Sequence, residues 1–504
     1  MPERYHVHTV PTPGRFRRVG KFGTADWRED CSRCKNCVKL RCLYDVYTTE
    51  SAHNRDAAAP VQPLFECKAC LSCVQGCTKG LLSLALNPEY LALGDAYWRP
   101  DLLATTWNQA ETGKIPVSGA GYRGPFSGPG FDSMWTDMSE IVRPTRDGIH
   151  GREYINTSVD IGPKPMRLEF DAAGAPRNGT SLIEVLLPVI LDAAPWGDPS
   201  ETVLRARVAA AAALRTLAVV PARYLPALAA EQRPVVVPLF DGEEGNSGTD
   251  KTSCLSPNFL EQVRLVEVAD GPASVAVARG LRGGERPLVA VRVPLRPGAT
   301  KRVLELYGGG VRIFHLCADL HGREIDAERP RFVKDVLREV HGALVQEGVR
   351  DEATLIGSGG IGLAEHMAKA IICGADLVGV DIPLLVALGC RVCSGNSGTD
   401  QTSCLSPNCP AGIAGVEASY AAQRMVNLMG AWHSQLLEVL GAMGIREARR
   451  LRGEAGRGMF LEDLERDAFK ELARGPEAAG ETAQPRRPAV FSGIGEQAVS
   501  GTHR

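Results

Sequence analysis

Two groups of closely spaced cysteines near the N-terminus could bind redox cofactors. Each group has three cysteines with two residues between neighbours, and a fourth cysteine follows shortly after. The groups are Cys31, Cys34, Cys37 and Cys42, then Cys67, Cys70, Cys73 and Cys77. Three thiolates on one tight loop hold one [4Fe–4S] cluster, and the fourth cysteine of each group crosses to the other cluster. Paired zinc sites or disulfides are the alternatives.

By this rule one cluster takes Cys31, Cys34, Cys37 and Cys77, and the other takes Cys67, Cys70, Cys73 and Cys42. The spacing is similar to that of two-cluster bacterial ferredoxins. It differs in the four residues that precede Cys42, and in Thr78, which follows Cys77 where proline is usual. The sequence therefore predicts a two-cluster ferredoxin-like module.

A second region suited to cofactor chemistry lies between Ala353 and Gly415. The turn Gly357–Gly360 separates an apolar run from Ala364–Ile372, which has helical spacing, and N–H groups at such a turn can bind phosphate. The order is GSGG rather than GxGxxG, and a plain strand–helix connection would explain the turn alone equally well. Four further cysteines follow it, namely Cys390, Cys393, Cys404 and Cys409.

Composition limits the classes of function. The chain has 504 residues and a net charge of −2, so it can form more than one domain, and bulk charge suggests neither nucleic acid nor an anionic membrane as a partner. We find no run of 18 uncharged apolar residues and no signal-peptide pattern in MPERYHVHTV. We therefore expect a cytoplasmic protein without a membrane span, in which fifteen cysteines indicate cluster ligands more readily than disulfides.

The elements that must position these residues alternate from Leu182 onward. Short β-branched runs are separated by helical ones, and the eight runs are Val185–Leu191, Leu217–Val220, Val235–Phe240, Val263–Val268, Leu288–Leu295, Val311–Ala318, Ala353–Ile356 and Leu377–Val380. This pattern predicts an α/β fold, a (β/α)8 TIM-type barrel. Phosphate in that fold is commonly held after strands seven and eight, here by Gly357–Gly360 and Gly379–Asp381.

The pattern divides the chain into six parts. They are a basic arm at 1–25, the ferredoxin-like module at 26–90, an irregular connector at 91–180, the barrel with its cysteine loop at 181–415, a helical cap at 416–474 and a disordered tail at 475–504.

The residues also carry a family resemblance. The stretch from VLREVHGALV to ALGC (336–390) resembles the end of the FMN-binding synthase domain of the glutamate synthase family, and CLSPNCPAGIAG (404–415) resembles the cluster loop that follows it. Segments 106–125 and 143–162 are similar to the leader of the short, archaeal-type members, which also carry a two-cluster ferredoxin module.

The resemblance implies a barrel that holds FMN beside an iron–sulfur cluster. It implies that Gly359, Gly360 and Ile361, with Gly379 and Val380, contact the FMN phosphate. Arg292 falls where the family has a lysine that helps to hold flavin and oxoacid, and an arginine could still clamp a carboxylate. The implied reaction reduces 2-iminoglutarate, formed from 2-oxoglutarate and ammonia, to L-glutamate.

The substrate end of the barrel departs from the family. The family's loops after strands two, four and six and its opening motif are replaced by Val220–Arg223, Val268–Gly271, Cys317–Arg323 and Ala194–Gly197. An electron-transfer subunit of a larger redox complex, or an enzyme for another oxoacid or amine, is therefore an alternative. The electron donor is expected to be ferredoxin or a separate NAD(P)H-oxidising subunit, and ammonia is free or comes from a glutaminase subunit.

In the family, three cysteines of this last loop bind a [3Fe–4S] cluster. Cys390 and Cys409 match firmly, the middle ligand is Cys393 or Cys404, and all four could hold a [4Fe–4S] cluster or be buried free thiols. An insertion, SGNSGTDQTS, separates Cys393 from Cys404. It belongs to a segment, GNSGTDQTSCLSPN at 395–408, that is a near copy of 245–258. That copy would bring Cys254 to the same face, or it reflects a sequence exchange without function.

Overall fold

The computed structural model describes residues 5–16, 19, 22–32, 34, 40–41, 43, 70–115, 128–136, 155–165, 167–175, 181–240, 259, 261–281, 287–393, 409 and 411–469. Several predicted features lie outside these residues. They are Cys37, Cys42, Cys67, Cys254, Cys404 and both copies of the repeated segment.

The N-terminal part contains a two-stranded antiparallel ribbon. Strand β1 (Phe22–Trp27) precedes the first cysteine group, helix α1 (Ser72–Gln75) carries Cys73, and β2 (Leu82–Leu86) follows the second group. β1 pairs with β2 so that Trp27 lies opposite Leu82. Cys31, which begins the first group, and Cys77, which ends the second, therefore lie near the same end of the ribbon.

The segment 91–180, predicted to be irregular, contains a regular helix. After the short α2 (Pro88–Leu91), helix α3 (Pro100–Thr112) runs for 13 residues. Pro100 at its first position and the left-handed Gly113 at its end are favourable boundary residues. Threonine and asparagine lower the helix propensity of α3, but packing of Leu103 and Ala110, both fully buried, overrides this.

Three short strands complete the region before the barrel. They are β3 (Met134–Thr136), β4 (Val159–Ile161) and β5 (Ile183–Val185), and β4 pairs with β5 in an antiparallel manner. The first predicted barrel strand, Val185–Leu191, is therefore divided between β5, outside the barrel, and β6 inside it.

A closed barrel of eight parallel strands forms the body of the protein. In chain order its elements are β6 (Val189–Leu191), α4 (Glu201–Leu214), β7 (Leu217–Pro221), β8 (Val236–Phe240), β9 (Leu265–Ala269), α5 (Ser274–Leu281), β10 (Leu288–Pro294), α6 (Ala299–Gly308), β11 (Ile313–Cys317), α7 (Val333–Gln346), β12 (Thr354–Ser358), α8 (Ala364–Ile372), β13 (Leu377–Val380) and α9 (Ile382–Ala387). β13 pairs with β6 and closes the ring, so the predicted (β/α)8 barrel is confirmed.

The long helix α10 (Ala418–Ala442) follows the cysteine loop. Glu417 caps its N-terminus by accepting the N–H groups of Ser419 and Tyr420 at 2.9 and 3.0 Å. The N-terminal arm lies along α10, because the side-chain amide of Asn427 exchanges hydrogen bonds with the backbone of Val10. Strand β14 (Gly458–Phe460) then pairs with β3.

Residues Leu461–Arg504 form a separate unit, of which the described part is helix α11 (Leu461–Phe469). In the described part of the chain we find no helix that is long and apolar enough to cross a membrane.

Candidate functional site

A layer of polar side chains crosses the barrel near the carboxyl ends of its strands. Each member follows or belongs to a different strand, and all but the arginine are almost fully buried: Asp192, Glu267, Arg292, His315 and Ser358. Functional groups in this fold are found at this end of the strands. The layer is therefore the first candidate for chemistry.

Arg292, the predicted catalytic residue, is held between two carboxylates. Its Nη2 donates to Asp192 at 2.6 Å and its Nε donates to Glu267 at 3.1 Å. The charges of Asp192, Cys317 and Glu267 outweigh burial and raise the pKa of Arg292 well above its usual value. Because two of its five N–H groups bind this chain's own carboxylates, the Nη1 group and the second N–H of Nη2 are left to contact a substrate.

His315 is fully buried and bonded on both sides. Nδ1 contacts Glu267 and Nε2 contacts Ser358 Oγ. Burial lowers the pKa of His315, but the charges of Cys317 and Glu267 overcome it and raise the pKa to about 10. The imidazole is therefore protonated at neutral pH. In this state one N–H group donates to Glu267 and the other to Ser358.

Glu267 joins the arginine and the histidine. Burial alone would raise the pKa of its carboxyl, and the charges of Arg292 and His315 lower it instead. Glu267 and His315 were not among the predicted site residues, although Glu267 is the one acidic residue of the apolar strand LVEVA and His315 the one basic residue of IFHLC. Such positions mark the inside of a barrel and could have been identified.

The glycine turn after β12 shows the features that an anion site requires. Gly359 and Gly360 have φ angles of +92° and +68°, which favour glycine, and Ile361 is fully buried. No described residue accepts a hydrogen bond from the N–H groups of these three residues, whereas the Gly360 carbonyl accepts one from the Tyr97 hydroxyl. Buried N–H groups are rarely left without an acceptor, so the turn fits an anionic ligand.

The neighbouring turn after β13 is different. A Cβ at Gly379 would lie 2.0 Å from Ser358 Oγ, so glycine is required there by the polar layer. The Val380 carbonyl accepts the N–H of Asp192 at 2.8 Å. Asp381, only 5% exposed, accepts the Ile382 N–H at 2.6 Å, and Pro383 offers no N–H group.

Asp381 places a buried carboxyl group directly after Gly379 and Val380, the second of the two expected phosphate turns. Burial, and then the charge of Asp192, raise the pKa of Asp381 to about 7. The β12 turn therefore fits the phosphate of FMN, and the β13 turn fits it when Asp381 carries a proton.

In the segment predicted to be a ferredoxin-like module, Cys31 and Cys77 lie at the same end of the β1–β2 ribbon. The Leu81 carbonyl accepts the Arg28 N–H at 3.0 Å, and the Arg28 carbonyl accepts the Cys31 N–H at 3.0 Å. The N–H of Leu81 donates to Cys77 Sγ at 3.3 Å. Backbone N–H groups, first that of Leu81, lower the pKa of the Cys77 thiol, which favours the thiolate that a cluster needs.

The cysteine loop after the barrel is tied to the N-terminal arm. Arg15 donates to the carbonyls of Leu388 at 2.6 Å and Gly412 at 3.2 Å. Cys390 is buried and lies just after Leu388, and Cys409 is partly buried and lies three residues before Gly412. Arg15 thus connects the segment that contains Cys390 to the segment that contains Cys409. Cys393, which lies between these two cysteines in the sequence, is partly exposed.

A small cavity links this loop to the barrel. Its volume is about 10 Å³, and its lining includes Trp196, Leu320, His321, Leu385 and Cys390. Cys390 therefore faces the loops that follow β6 and β11. A cluster bound at Cys390 would lie against the functional end of the barrel.

One further group of potential metal ligands, Asp132, Glu365 and His366, does not form a metal site. His366 Nδ1 accepts the Gly362 N–H at 3.0 Å, so in the neutral ring Nε2 carries the proton and cannot bind a metal. The carboxylates of Asp132 and Glu365 are already paired with Arg99 at 2.6 Å and Lys369 at 3.0 Å.

Comparison with known proteins identifies the relatives of this chain. Residues 333–446 match the family model described as the conserved region in glutamate synthase. An archaeal-type glutamate synthase (NADPH) of Dehalococcoides mccartyi is 24% identical over 88% of this chain and 97% of its own. An archaeal glutamate synthase (NADPH) of Archaeoglobus fulgidus is 24% identical over 92% and 97%. That of Methanocaldococcus jannaschii is 36% identical over 27% and 26%.

Among solved structures, the flavin-binding domain of baker's yeast flavocytochrome b2 is similar with a TM-score of 0.38 and 14% identity, over 67% of this chain and 86% of that one. A lactate oxidase of Pediococcus acidilactici has a TM-score of 0.36 and 14% identity, over 70% and 92%.

The chain therefore contains the region conserved in glutamate synthases and is similar to archaeal-type glutamate synthases over most of its length. This confirms the family resemblance predicted from residues 336–415.

Proposed function

We propose that the chain is an FMN- and iron–sulfur-dependent oxidoreductase similar to glutamate synthase. Its reaction is the reductive amination of 2-oxoglutarate, through 2-iminoglutarate, to L-glutamate. The main support for the proposal is the set of buried N–H groups at Gly359, Gly360 and Ile361. No described residue provides a hydrogen-bond acceptor for them. They lie at the phosphate position of a TIM-type barrel, inside the segment that matches glutamate synthases.

Residues of both turns would hold the flavin. Gly359, Gly360 and Ile361 would donate to its phosphate, with Gly379 and Val380 forming the neighbouring wall. When bound, FMN supplies hydride transfer and exchanges single electrons for electron pairs. The Arg292 Nη1 group would contact the oxoacid carboxylate, and the two carboxylates that bind Arg292 would fix its position.

Three iron–sulfur clusters complete the proposal. The eight cysteines of the ferredoxin-like module would hold two [4Fe–4S] clusters, and Cys390, Cys393 or Cys404, and Cys409 a third, [3Fe–4S] or [4Fe–4S]. The position of Cys77 and its N–H donors supports the first assignment, and the Arg15 bridge supports the second. Electrons would come from ferredoxin or a separate NAD(P)H-oxidising subunit, and ammonia would be free or come from a glutaminase subunit.

The occupied Arg292 favours a second candidate function. An arginine that already binds two carboxylates has fewer N–H groups left for a dicarboxylate substrate. The loops after strands two, four and six also differ from those that the family resemblance implies. An electron-transfer subunit that carries flavin and clusters, or an enzyme for another oxoacid or amine, would not need the missing contacts.

Anaerobic purification of the full chain separates these candidates. Iron, sulfide and flavin are first counted, the flavin is reduced chemically, and 2-oxoglutarate with ammonium is added. Return of the oxidised flavin spectrum and formation of glutamate support the synthase. Flavin that stays reduced with both substrates present contradicts it and supports the electron-transfer candidate, while a chain that binds no FMN contradicts both.

A matched pair of variants tests the third cluster. We expect Cys409→Ser to lower the iron content by one cluster and to leave the two ferredoxin-type clusters intact. Cys373→Ser is the control, because Cys373 is buried beside Met134 rather than on the cysteine loop. Equal iron content in the Cys409→Ser variant and the unmodified protein would contradict the assignment of Cys409.

A further inference from the structure

We propose that Asp381 makes flavin binding depend on pH: the FMN phosphate is accepted only when the Asp381 carboxyl carries a proton, which it donates to a phosphate oxygen. This inference rests on the proposed function, since it concerns the same flavin site. It assigns to Asp381 a role in ligand selection that the resemblance to glutamate synthases does not supply.

The register of the barrel places Asp381 beside the glycine turn. Ser358 of β12 lies opposite Gly379 of β13 in the parallel pairing. Gly360 and Asp381 each lie two residues further on, so they leave the barrel side by side. The Tyr97 hydroxyl donates to the Gly360 carbonyl, and the charge of Asp381 helps to raise the pKa of Tyr97, so Asp381 lies in the neighbourhood of this contact.

Asp381 has no cation of its own. Its Oδ1 accepts the Ile382 N–H, and no described residue donates to its Oδ2. Arg292 is the only cation among the main influences on its charge, and it is already bound to Asp192 and Glu267. The other titratable groups near it are Asp192 and Tyr97, and the charge of Asp319 also acts on Tyr97. His315 lies beyond Gly379.

A phosphate at the glycine turn would therefore meet either a carboxylate or a carboxylic acid. Two anions in a buried site repel strongly, whereas a protonated carboxyl donates a hydrogen bond to a phosphate oxygen. The pKa of Asp381, raised to about 7 by burial and Asp192, puts this change within the physiological range. Above this pH, binding of the phosphate would therefore require the Asp381 carboxylate to take up one proton from the solvent.

The experiment measures the dissociation constant of FMN for the full chain by flavin fluorescence between pH 6 and pH 9. We expect the constant to rise about tenfold per pH unit above pH 7, because one proton is taken up. In Asp381→Asn, which keeps the Ile382 contact and always donates, we expect no such rise and about 100-fold tighter binding than in the unmodified chain at pH 9.

Two controls isolate the phosphate and the position. Riboflavin lacks the phosphate, so its dissociation constant in the unmodified chain should not change over this pH range, and this test needs no substitution. Asp326→Asn removes a carboxylate that is 69% exposed and paired with Arg296 on the surface, and it should keep the pH dependence of the unmodified chain.

The outcomes separate the inference from the function on which it rests. FMN affinity with the same pH dependence in the unmodified chain and Asp381→Asn overturns the role of Asp381 and leaves the flavin site standing. Equal pH dependence for riboflavin and FMN also overturns it. If neither protein binds FMN at any pH, the flavin-dependent function itself fails.

Discussion

Two histidines of the same barrel have opposite electrostatic environments. The pKa of His315, at the carboxyl ends of the strands, is raised to about 10, and the pKa of His341, at the amino ends, is lowered to about 4. Both are at least partly buried, and burial lowers the pKa of both. The difference must therefore come from their partners.

The partners of His315 are anionic and those of His341 are cationic. Glu267 contacts His315 Nδ1, whereas Arg350 Nε donates to His341 Nδ1 at 3.0 Å. Burial first, then the charges of Arg350 and Arg452, keep His341 neutral. A protonated His341 could not accept the Arg350 hydrogen bond, so this geometry requires the neutral ring.

The two ends also differ in their access to solvent. The polar layer around His315 is closed, while His341 lines an open groove of about 810 Å³ together with Arg350, Arg449 and Arg452. In barrels of this type the carboxyl ends carry function and the amino ends carry stability. The same pairing of arginine and carboxylate can therefore hold a candidate functional group at one end of the barrel and secure the strands at the other.

The largest effect is expected from breaking the closed end. Glu267→Gln removes the anion between Arg292 and His315 and leaves two buried cations without it. Loss of one partner of a buried ion pair costs about 3–5 kcal/mol, so we expect the free energy of unfolding to fall by about 3 kcal/mol or more. Urea denaturation followed by tryptophan fluorescence measures this.

The control for this prediction is the same substitution on the outside of the barrel. Glu305→Gln on α6 removes a carboxylate that is 49% exposed and pairs with Arg302. Exposed pairs contribute about 0–1 kcal/mol, so its stability should hardly change. Equal effects of the two substitutions would mean that the polar layer is not closed to solvent.

The barrel itself could be predicted because short apolar runs recur along the chain and several of them are separated by segments with helical spacing. The predicted strand Val185–Leu191 is longer than β6, because Val185 and Val189 are both apolar and β-branched, whereas Pro188 lies between β5 and β6. Helix α3 was missed because its stability comes from burial against the rest of the protein rather than from local propensity.

Less of the candidate site could be predicted. The glycine turn after β12 is local in sequence, so its place at the expected phosphate site could be inferred. The polar layer depends on barrel closure, since Arg292 and Asp192 are 100 residues apart and His315 and Glu267 are 48 apart. Which residues meet is decided by strand register across the closed sheet, and no periodicity within one strand reports it.

The second prediction is that the two histidines make the free energy of unfolding depend on pH in opposite directions. The raised pKa of His315 means that its contribution to stability is complete below its unfolded pKa near 6.5 and is lost as the pH rises through about 10. The lowered pKa of His341 means the reverse: its contribution is complete above about 6.5 and is lost as the pH falls through about 4.

Single substitutions separate the two limbs of this profile. Between about pH 7 and pH 8.5 the unmodified protein should lose about 2 kcal/mol through His315, and His315→Gln should lack that loss. His341→Gln should instead flatten the decline between about pH 6 and pH 4. Urea midpoints at each pH measure both effects, and a His315→Gln variant with an unchanged alkaline limb would show that another group carries it.

The smallest effect is expected at the open end. Arg452 binds Asp376 at 2.9 Å and Asp351 at 2.8 Å, and its side chain is 21% exposed. We expect Arg452→Gln to cost about 0.5–1 kcal/mol, because partly exposed ion pairs contribute little. Its second consequence is more specific: removing one of the two cations that lower the pKa of His341 should raise that pKa.

Titration of the histidine ring by NMR in Arg452→Gln tests this cause directly. Arg450→Gln is the matched control, since Arg450 is exposed in the same groove and is not among the charges that lower the pKa of His341. A higher His341 pKa in Arg452→Gln alone would assign part of the shift to that cation. If the pKa is the same in both variants and the unmodified protein, burial and Arg350 alone keep His341 neutral. The contrast between the two ends would then rest on one contact to each ring: Glu267 to His315 and Arg350 to His341.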